Sequence, residues 1–359
     1  MKLLDRYIIK KFLGTFFYSI TLLIVIVIVF DISEKIGNFI SKHASLHEII
    51  FDYYVNFIPY FINLFIYLFT FISVVFFTSR LAANTEIIAM LSNGISFKRL
   101  LYPYFLASLF LAVLSFYMGN FLIPKTNKKM HVFMDKYIDT PPVNNKRNVH
   151  VQLSPGVFAY VQSFNPKRMS GYRFSLEKFK GEHLVYKLDA RTVKWDTTKN
   201  KWILSDYHGR TLDSLERQHL FKGALLDTTL RLKPTDLYKI RPKYDEMTLA
   251  ELNHYIKAEK EKGSLLYKKF EIEKYKRIAG PVAIIILTFM GMALSCRKTR
   301  GGIGMHLGLG LLLAFSYILL MQVTTVFSTQ GNLAPSIGAW IPNIIFLLIT
   351  IYLLKKAPK

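Results

Sequence analysis

The chain has 359 residues, of which 52% are hydrophobic and 15% aromatic, and its 47 Lys and Arg outnumber its 24 Asp and Glu to give a formal net charge of +23. Six long runs nevertheless contain no Asp, Glu, Lys or Arg, and this segregation of charge from apolar sequence excludes an ordinary basic globular protein. The single cysteine, Cys296, excludes an intramolecular disulfide, and no zinc-type spacing of Cys and His occurs.

The six uncharged runs are each long enough to cross a membrane. A helix needs about 20 apolar residues to cross a hydrocarbon core of about 30 Å, and the runs have 18 to 24 residues. They occupy residues 12–30, 55–78, 100–123, 278–295, 305–327 and 337–354. A buried core helix would account for one such run but not for six. No small-residue cleavage site follows the first run, so we expect a retained span rather than a signal peptide.

Lys and Arg near the ends of the runs predict the orientation. They are concentrated before the first run, between the second and third, between the fourth and fifth, and after the last, and they include Lys10, Arg80, Lys98, Arg99, Arg297, Lys298, Arg300 and Lys355. Because cytoplasmic loops are enriched in Lys and Arg, both termini are predicted to be cytoplasmic. The long segment between the third and fourth runs then lies outside.

The outer segment is expected to hold a β domain followed by a helical linker. Aromatic and β-branched stretches with partial alternation predict strands, and the polar break at residues 196–200 predicts a hairpin turn. About eight strands in a sandwich or jelly roll would fit the length. Further on, Thr248 and Glu251 form a capping-box pattern, and Gly263 is a plausible helix stop.

These elements predict a membrane α+β fold with six transmembrane helices in two groups of three. A β-jellyroll-like domain is inserted between helices three and four. The expected domains are residues 1–123 for the first three helices, 124–246 for the β domain, 247–277 for the helical linker and 278–359 for the last three helices.

The loop at residues 79–99 is the most informative cytoplasmic stretch. Asn84 can cap the start of a helix, and Glu86 is favourably placed near the positive end of the helix dipole. Further positions supply an apolar face and a helix stop: Ile87, Ile88, Leu91 and Gly94. This spacing fits an amphipathic helix lying on the membrane as well as it fits a short helix that docks into a groove on a cytoplasmic partner.

The sequence lacks the motifs of several enzyme classes. It contains no G-x-x-x-x-G-K-[ST], no H-E-x-x-H and no G-x-S-x-G. Within the uncharged runs, His306 is the only ionisable acid or base, whereas ion-coupled transporters place such groups at mid-membrane. Any transport would therefore draw its energy from a partner. We interpret the polar residues of the runs as helix–helix contacts: Asn56, Asn63, Asn120, Gln322 and Asn343.

Several segments together resemble the lipopolysaccharide export permeases of the LptF/LptG family. The loop sequence Arg80-x-x-x-Asn84-Thr85-Glu86-Ile87-Ile88-Ala89, followed by Gly94-Ile95-Ser96, is similar to the coupling-helix motif of that family, here over about residues 84–94. Residues 247–256 and 274–291 resemble its linker and fourth span, and the last two runs resemble its last two spans. The N-terminal sequence LDRYIIKKF is more similar to the LptG branch.

The resemblance implies the non-enzymatic permease half of an ABC exporter in the bacterial inner membrane. Two such permeases would pair and receive a cytoplasmic LptB-like ATPase dimer, which alone would bind ATP and Mg²⁺, so no cofactor is expected on this chain. Lipopolysaccharide would leave the outer leaflet of the inner membrane and pass through the periplasmic β domain to LptC- and LptA-like bridge proteins. Nucleic acid is not an expected partner.

The resemblance also implies three groups of site residues. The ATPase-coupling group is Arg80, Asn84, Glu86, Ile87, Leu91 and Gly94. Some family members bind substrate phosphates with a lysine in the outer part of the first span; that run has none here, so the nearest substrate-binding candidates are Lys35, Asp31 and Glu34. The lateral gate would lie between spans one and five, at Gly14, Ser19, Gly308, Gly310 and Ser316, although small residues also permit ordinary tight packing.

Other functions are considered beside the exporter. Residues 124–277 hold 32 basic and 18 acidic residues, and this net charge of +14 would attract an anionic glycolipid or would equally serve solubility and contact with anionic lipid heads. A membrane-anchored receptor or scaffold could use the outer β domain to bind a partner. A lipid-modifying enzyme would need a catalytic constellation, and none links His131, His150 and His183 in the sequence. Co-purification with an ATPase would separate the exporter from both alternatives.

Overall fold

The computed structural model describes residues 2–138, 147–212, 217–238, 244–297 and 302–357, so Lys298 and Arg300 lie outside the described residues. The chain divides into two compact units. The helical unit comprises Met1–Ile138, Tyr244–Asn253 and Lys268–Lys359, and the sheet unit comprises Asp139–Lys243 and His254–Tyr267.

The helices of the described residues follow one another as the sequence predicts. They are α1 (Leu3–Ser41), α2 (Val55–Ala83), α3 (Glu86–Ser92), α4 (Phe97–Tyr117), α5 (Ile123–Tyr137), α6 (Pro234–Tyr238), α7 (Leu249–Glu261), α8 (Tyr267–Ser295), α9 (Gly302–Gln330) and α10 (Pro335–Lys356). Six segments are long and apolar enough to span a membrane, three before the sheet and three after it. The prediction of a membrane α+β fold with six spans is therefore confirmed.

Two of the six spans contain a π-helical segment. Glu48–Tyr54 leads directly into α2, and Met118–Leu122 joins α4 to α5, so the third span is one helix over Phe97–Tyr137. The buried side chains of α5 recur every three or four residues, at Ile123, Asn127, Met130, Phe133 and Tyr137. Residues at this spacing lie on one face of a helix, so that face can pack against a core. The boundary expected at residue 124 thus falls inside a helix, and the strands begin at Arg147.

α8 lies at the centre of the helical unit. Of its most apolar stretch, 67% of the residues are buried, against 22% in α1 and in α9. Ile284 and Met292 of α8 belong to a core cluster shared with α1, α2 and α4, whereas Ala283 and Leu287 belong to a second cluster shared with α2, α9 and α10. One helix therefore holds the two groups of spans together through opposite faces.

Polar side chains join the spans, as the sequence analysis expected for part of the set. Asn63 Oδ1 accepts a hydrogen bond from Ser115 at 2.8 Å, and Asn343 donates to the Ala279 carbonyl at 2.8 Å. Asn56 and Asn120 differ, because each donates to backbone carbonyls of its own helix. The prediction of interhelical contacts is thus confirmed for Asn63 and Asn343. It is wrong for the hydrogen bonds of Asn56 and Asn120, which lie within one helix.

The sheet unit contains one antiparallel sheet with the strands in sequential order. The strands are β1 (Arg147–Ser154), β2 (Val157–Asn165), β3 (Ser170–Lys180), β4 (His183–Asp196), β5 (Lys201–Leu212) and β6 (Gln218–Thr228). The described residues thus hold six strands in a meander, where the sequence predicted about eight in a sandwich or jelly roll. The strands are fewer because several are long, and because helix α5 occupies the start of the segment.

Alternation along the strands breaks at one common level of the sheet. Buried neighbours there are three residues apart instead of two, as in Val161 and Phe164, Gly171 and Phe174, Ala190 and Val193, and Leu204 and half-buried Tyr207. At this level, one residue on each of three alternate strands has a left-handed backbone: Asn148 on β1, Arg173 on β3 and Asp206 on β5. Such residues change which side chains face the core, as β-bulges do. This alternation break explains why the strand sequences alternate only in part.

The predicted hairpin turn and the predicted capping box are both confirmed. The turn connects β4 to β5, with Trp195 paired to Trp202, and Asp196 Oδ1 accepts a hydrogen bond from Thr198 N at 2.8 Å. At the start of α7, Thr248 N donates to Glu251 Oε2 at 2.8 Å, and Glu251 N donates to Thr248 Oγ1 at 3.4 Å.

Candidate functional site

The loop predicted to couple to an ATPase consists of a short helix between two left-handed residues. α2 continues to Ala83, and the seven-residue helix α3 follows after a turn. Thr85, immediately before α3, has φ 62°, and Gly94, after it, has φ 82°. The expectation that Asn84 caps α3 is wrong: Asn84 ends α2, and Thr85 occupies the position before α3. Gly94 follows the helix as predicted.

The apolar face of α3 is divided between the core and the surface. Ile87 is 1% exposed and packs in a cluster with Leu4 and Ile8 of α1, and Leu91 contacts the same cluster. Ile88, in contrast, is 54% exposed. Ile87 and Leu91 therefore anchor α3 to the chain. The accessible surface of α3 is formed by Ile88, Ala89 and Ser92, with Asn84 beside it.

Glu86 already has polar partners inside the chain. Its Oε2 accepts a hydrogen bond from the hydroxyl of Tyr7 at 3.1 Å, and its Oε1 lies 3.4 Å from Asn84 Nδ2. Arg80 is exposed on the last turn of α2. The structure thus brings Arg80, Asn84 and Glu86 to one end of the helical unit, together with a residue of α1.

A second polar contact at this end was not predicted from the sequence. Arg99 at the start of α4 forms a bidentate ion pair with Asp5 of α1, with Nη1 2.7 Å from Oδ1 and Nη2 2.8 Å from Oδ2. The backbone N–H of Lys2 also donates to Asp5 Oδ2 at 3.0 Å. Asp5 is buried, with 1% of its surface exposed. The acid at position 5, among basic residues, was the available signal, but its partner is 94 residues away.

The candidate substrate residues of α1 form part of a compact polar cluster. Lys35 Nζ lies 2.5 Å from Asp31 Oδ1 and also contacts the hydroxyl of Tyr53. Tyr53 and Tyr54 both donate to the Asp31 carboxylate, at 3.2 and 3.1 Å. Glu34, the third candidate, is exposed on α1. The sequence analysis missed the tyrosines because they belong to the π-helical turn before α2.

The ammonium group of Lys35 is enclosed by aromatic rings as well as by its carboxylate partner. It lies 5.0 Å from the ring centre of Tyr53 and 5.9 Å from that of Phe57. The side chain of Lys35 is 17% exposed and that of Asp31 10%. An anionic ligand could reach Lys35 only in competition with Asp31.

The candidate gate residues lie in two helices that both pack on α2. α1 packs on α2 and α4, and α9 packs on α2 and α10. A side chain at Gly14 or Gly308 would meet open space, whereas one at Gly310 would contact Val75 of α2. Ser19 is half-buried, and Ser316 donates to the Leu312 carbonyl of its own helix. Gly310 is therefore a close-packing residue, and the exposed faces of α1 and α9 remain free within the described chain.

Charged side chains of α5 and α8 bind the segment that precedes α7. His131 Nδ1 lies 2.6 Å from Glu246 Oε1, and Arg277 donates to the backbone carbonyls of Met247 and Tyr244 at 2.6 and 2.9 Å. Burial raises the pKa of Asp245, and the nearby His131 opposes this shift. Among the described residues, no group of three His, Cys, Asp or Glu side chains is placed to hold a metal ion.

The structure is that of a multi-pass membrane protein. It has six apolar helices, a β-sheet inserted between the third and fourth of them, and a short helix with polar ends between the second and third. The chain belongs to the family of lipopolysaccharide export system permeases LptF/LptG, whose family model matches residues 6–356. The family and the six helices identify a multi-pass protein of the inner membrane. No curated protein matches the chain. Because the family model joins both branches, the assignment to LptG stays a prediction.

Proposed function

We propose that this chain is one permease subunit of an ABC-type exporter that takes lipopolysaccharide from the outer leaflet of the inner membrane. A second LptF/LptG-type permease completes the pathway, and a separate LptB-like ATPase dimer supplies the energy and binds ATP and Mg²⁺. The family match supports the substrate. The uncharged span sequences support an external energy source, because apart from His306 they contain no group that could couple transport to ions.

The ATPase docks on the accessible surface of α3. The single observation that supports this assignment is the exposed Ile88, at the same end of the helical unit as Glu86 and Arg80, on a helix fixed to the core by Ile87. An exposed apolar side chain ringed by polar groups is a usual anchor at a protein interface. Glu86 supplies an anion for a cation of the ATPase.

The orientation follows from the distribution of basic residues. Arg80, Lys98 and Arg99 support a cytoplasmic position for the α3 end and for both termini. The sheet unit then lies in the periplasm and delivers the lipid to LptC- and LptA-like bridge proteins. Its excess of basic residues attracts an anionic glycolipid.

The lipid enters between α1 and α9, and its phosphates contact Lys35. These two helices bury the smallest share of their apolar residues among the six spans, which suits helices that face lipid or a second permease. Gly14, Ser19, Gly308, Gly310 and Ser316 belong to the same two helices and permit close approach. Asp31 and Glu34 lie beside Lys35 and favour a substrate that brings its own counterions.

Glu86→Lys tests the docking role in the complete complex. Truncating or reversing one partner of a buried charged contact costs about 2–5 kcal/mol, so the variant should release the ATPase or uncouple ATP hydrolysis from lipid export. Glu34→Lys, an exposed charge reversal on α1, is the matched control for ATPase binding. Unchanged export with Glu86→Lys would count against docking at α3.

A receptor or scaffold remains the alternative function. It would use the sheet unit to bind a partner and would need no ATPase. Isolation of the chain from its native membrane with an ATPase and a second permease supports the exporter. Isolation with a periplasmic partner but no ATPase supports the scaffold.

A further inference from the structure

Two polar side-chain pairs connect the α3 loop to α1: Asp5 of α1 with Arg99, and Tyr7 of α1 with Glu86. We propose that Asp5, Tyr7 and Arg99 are positioning residues for transport, through which a displacement of α3 by the ATPase moves α1. The inference rests on the proposed docking of an ATPase at α3. It assigns a transport role to three residues that belong to neither the ATPase-coupling group nor the substrate-binding group.

The first connection is the ion pair between Asp5 and Arg99. Nη1 of Arg99 lies 2.7 Å from Oδ1 of Asp5, Nη2 donates to Oδ2 at 2.8 Å, and Asp5 is buried. A bidentate pair fixes the relative orientation of its partners, not only their distance. The start of α4, immediately after the α3 loop, is therefore held in register with the first turn of α1.

The second connection joins α3 directly to α1. Tyr7, which lies within one helical turn of Asp5 on α1, donates a hydrogen bond to Glu86 Oε2 at 3.1 Å. Beneath this hydrogen bond, Ile87 packs in the same apolar cluster as Leu4 and Ile8. In the described residues, these are the polar side-chain contacts that link residues 84–100 to α1. A displacement of α3 would therefore be passed directly to α1 through these contacts.

The backbone on either side of α3 and the exposed face of α1 would allow such a movement. Thr85 and Gly94 adopt left-handed backbone conformations on either side of α3, so the helix is a separate short segment rather than a continuation of α2. α1 exposes most of its apolar stretch, in contrast to the enclosed α8. A loop fixed to α1 and jointed to α2 would move α1 with it while α2 stays in place.

The experiment compares export with ATP hydrolysis in vesicles that contain this chain, a second permease, the ATPase, bridge protein and lipopolysaccharide. Tyr7→Phe removes one hydroxyl, and Asp5→Asn removes one charge. Each should keep ATPase binding while lowering the lipid exported per ATP hydrolysed by about fivefold or more. Tyr18→Phe and Lys98→Ala are the controls, since both residues are exposed and neither forms a side-chain hydrogen bond within the described chain.

Charge exchange distinguishes coupling from simple damage to the fold. Asp5→Arg combined with Arg99→Asp should restore part of the export ratio, because the pair is rebuilt with its charges exchanged. Rescue is partial, since an Arg near a helix N-terminus is unfavourable. If Asp5→Asn fails to fold, Tyr7→Phe decides alone.

The outcomes separate this inference from the proposed function. If the unaltered chain binds no ATPase or exports no lipid, the proposed function fails. If the unaltered chain exports lipid and both Tyr7→Phe and Asp5→Asn keep the full export ratio, only the coupling role is overturned. A lowered ratio with intact ATPase binding, reversed by the charge exchange, supports it.

Discussion

The hydroxyl of Tyr317 donates a hydrogen bond to Asn343 Oδ1 at 2.9 Å and so joins α9 to α10. The same amide donates from its nitrogen to the Ala279 carbonyl of α8 at 2.8 Å. One buried side chain therefore ties the last three spans together, in a region where water cannot replace a lost hydrogen bond.

Asn343→Leu should lower the free energy of unfolding by about 1–2 kcal/mol, because it leaves the Tyr317 hydroxyl and the Ala279 carbonyl without their partner. Thermal unfolding in detergent measures the loss. Gln322→Leu, at an exposed position of α9, is the control and should cause no such loss. Equal stability of the two variants would contradict the role of Asn343.

Adjacent isoleucines of α3 should respond in opposite ways. Ile87→Ala removes a buried side chain and should cost about 2–5 kcal/mol of stability. Ile88→Asp should leave the unfolding midpoint nearly unchanged but abolish co-purification of the ATPase, because a charge replaces the exposed anchor. The unfolding midpoint and the co-purification of the ATPase should be measured for both variants. Full ATPase binding by Ile88→Asp would exclude this docking surface.

A photoreactive residue at position 35 should form an adduct with lipopolysaccharide. Capture should fall when ATP drives the lipid onward, and Asp31→Asn should increase it because a carboxylate at position 31 no longer repels the lipid phosphates. A photoreactive residue at exposed position 312 of α9 tests the other side of the entrance. Adducts from position 312 without any from position 35 would remove Lys35 from the pathway and leave the entrance intact.

A cysteine introduced at Asn332, between α9 and α10, should react with a membrane-impermeant reagent added from the periplasmic side. A cysteine at Asn93, after α3, should not, since the basic residues around α3 predict a cytoplasmic position. The native Cys296 is buried, so replacing it with Ala gives a clean background. The reverse labelling pattern would invert the orientation.

The start of α7 should lose stability in acid. Hydrogen bonding from the backbone of Thr248 lowers the pKa of Glu251, so its folded-state pKa lies below the unfolded value. Its contribution is therefore present above the unfolded pKa of about 4.3 and is lost as the pH falls through the folded pKa. The unfolding midpoints of the unaltered chain and Glu251→Gln should differ at pH 7 and should draw together as the pH falls below the unfolded pKa. Glu261→Gln, at the far end of α7, should show no such convergence.

The spans were predictable because a run of apolar residues long enough to cross a bilayer needs no partner to be recognised. The third span shows the limit of that signal. Its uncharged run ends at residue 123, but the helix continues to Tyr137, where charged residues cover one face and Met130 and Phe133 fill the other. The number of strands was less predictable, since the alternation break interrupts the two-residue period on which strand prediction depends.

The candidate site was predictable in position but not in its contacts. Spacing identified a short helix at residues 84–94, yet it could not tell that Ile87 packs against α1 while Ile88 stays exposed. Asp5 and Arg99 meet across 94 residues of sequence, and Lys35 meets Tyr53 across 18. Such pairs are set by the packing of whole helices, which no local pattern encodes.

The alternation break of the sheet makes its strands interdependent in evolution. If one strand regained strict two-residue alternation, it would turn its apolar side chains outward beyond that level while its neighbours kept theirs inward. A one-residue insertion or deletion inside β3 or β4 would thus be harmful alone and tolerable only with matching changes in the adjoining strands. Length variation among relatives should therefore collect in the connecting turns, such as residues 197–200, and spare the strand interiors.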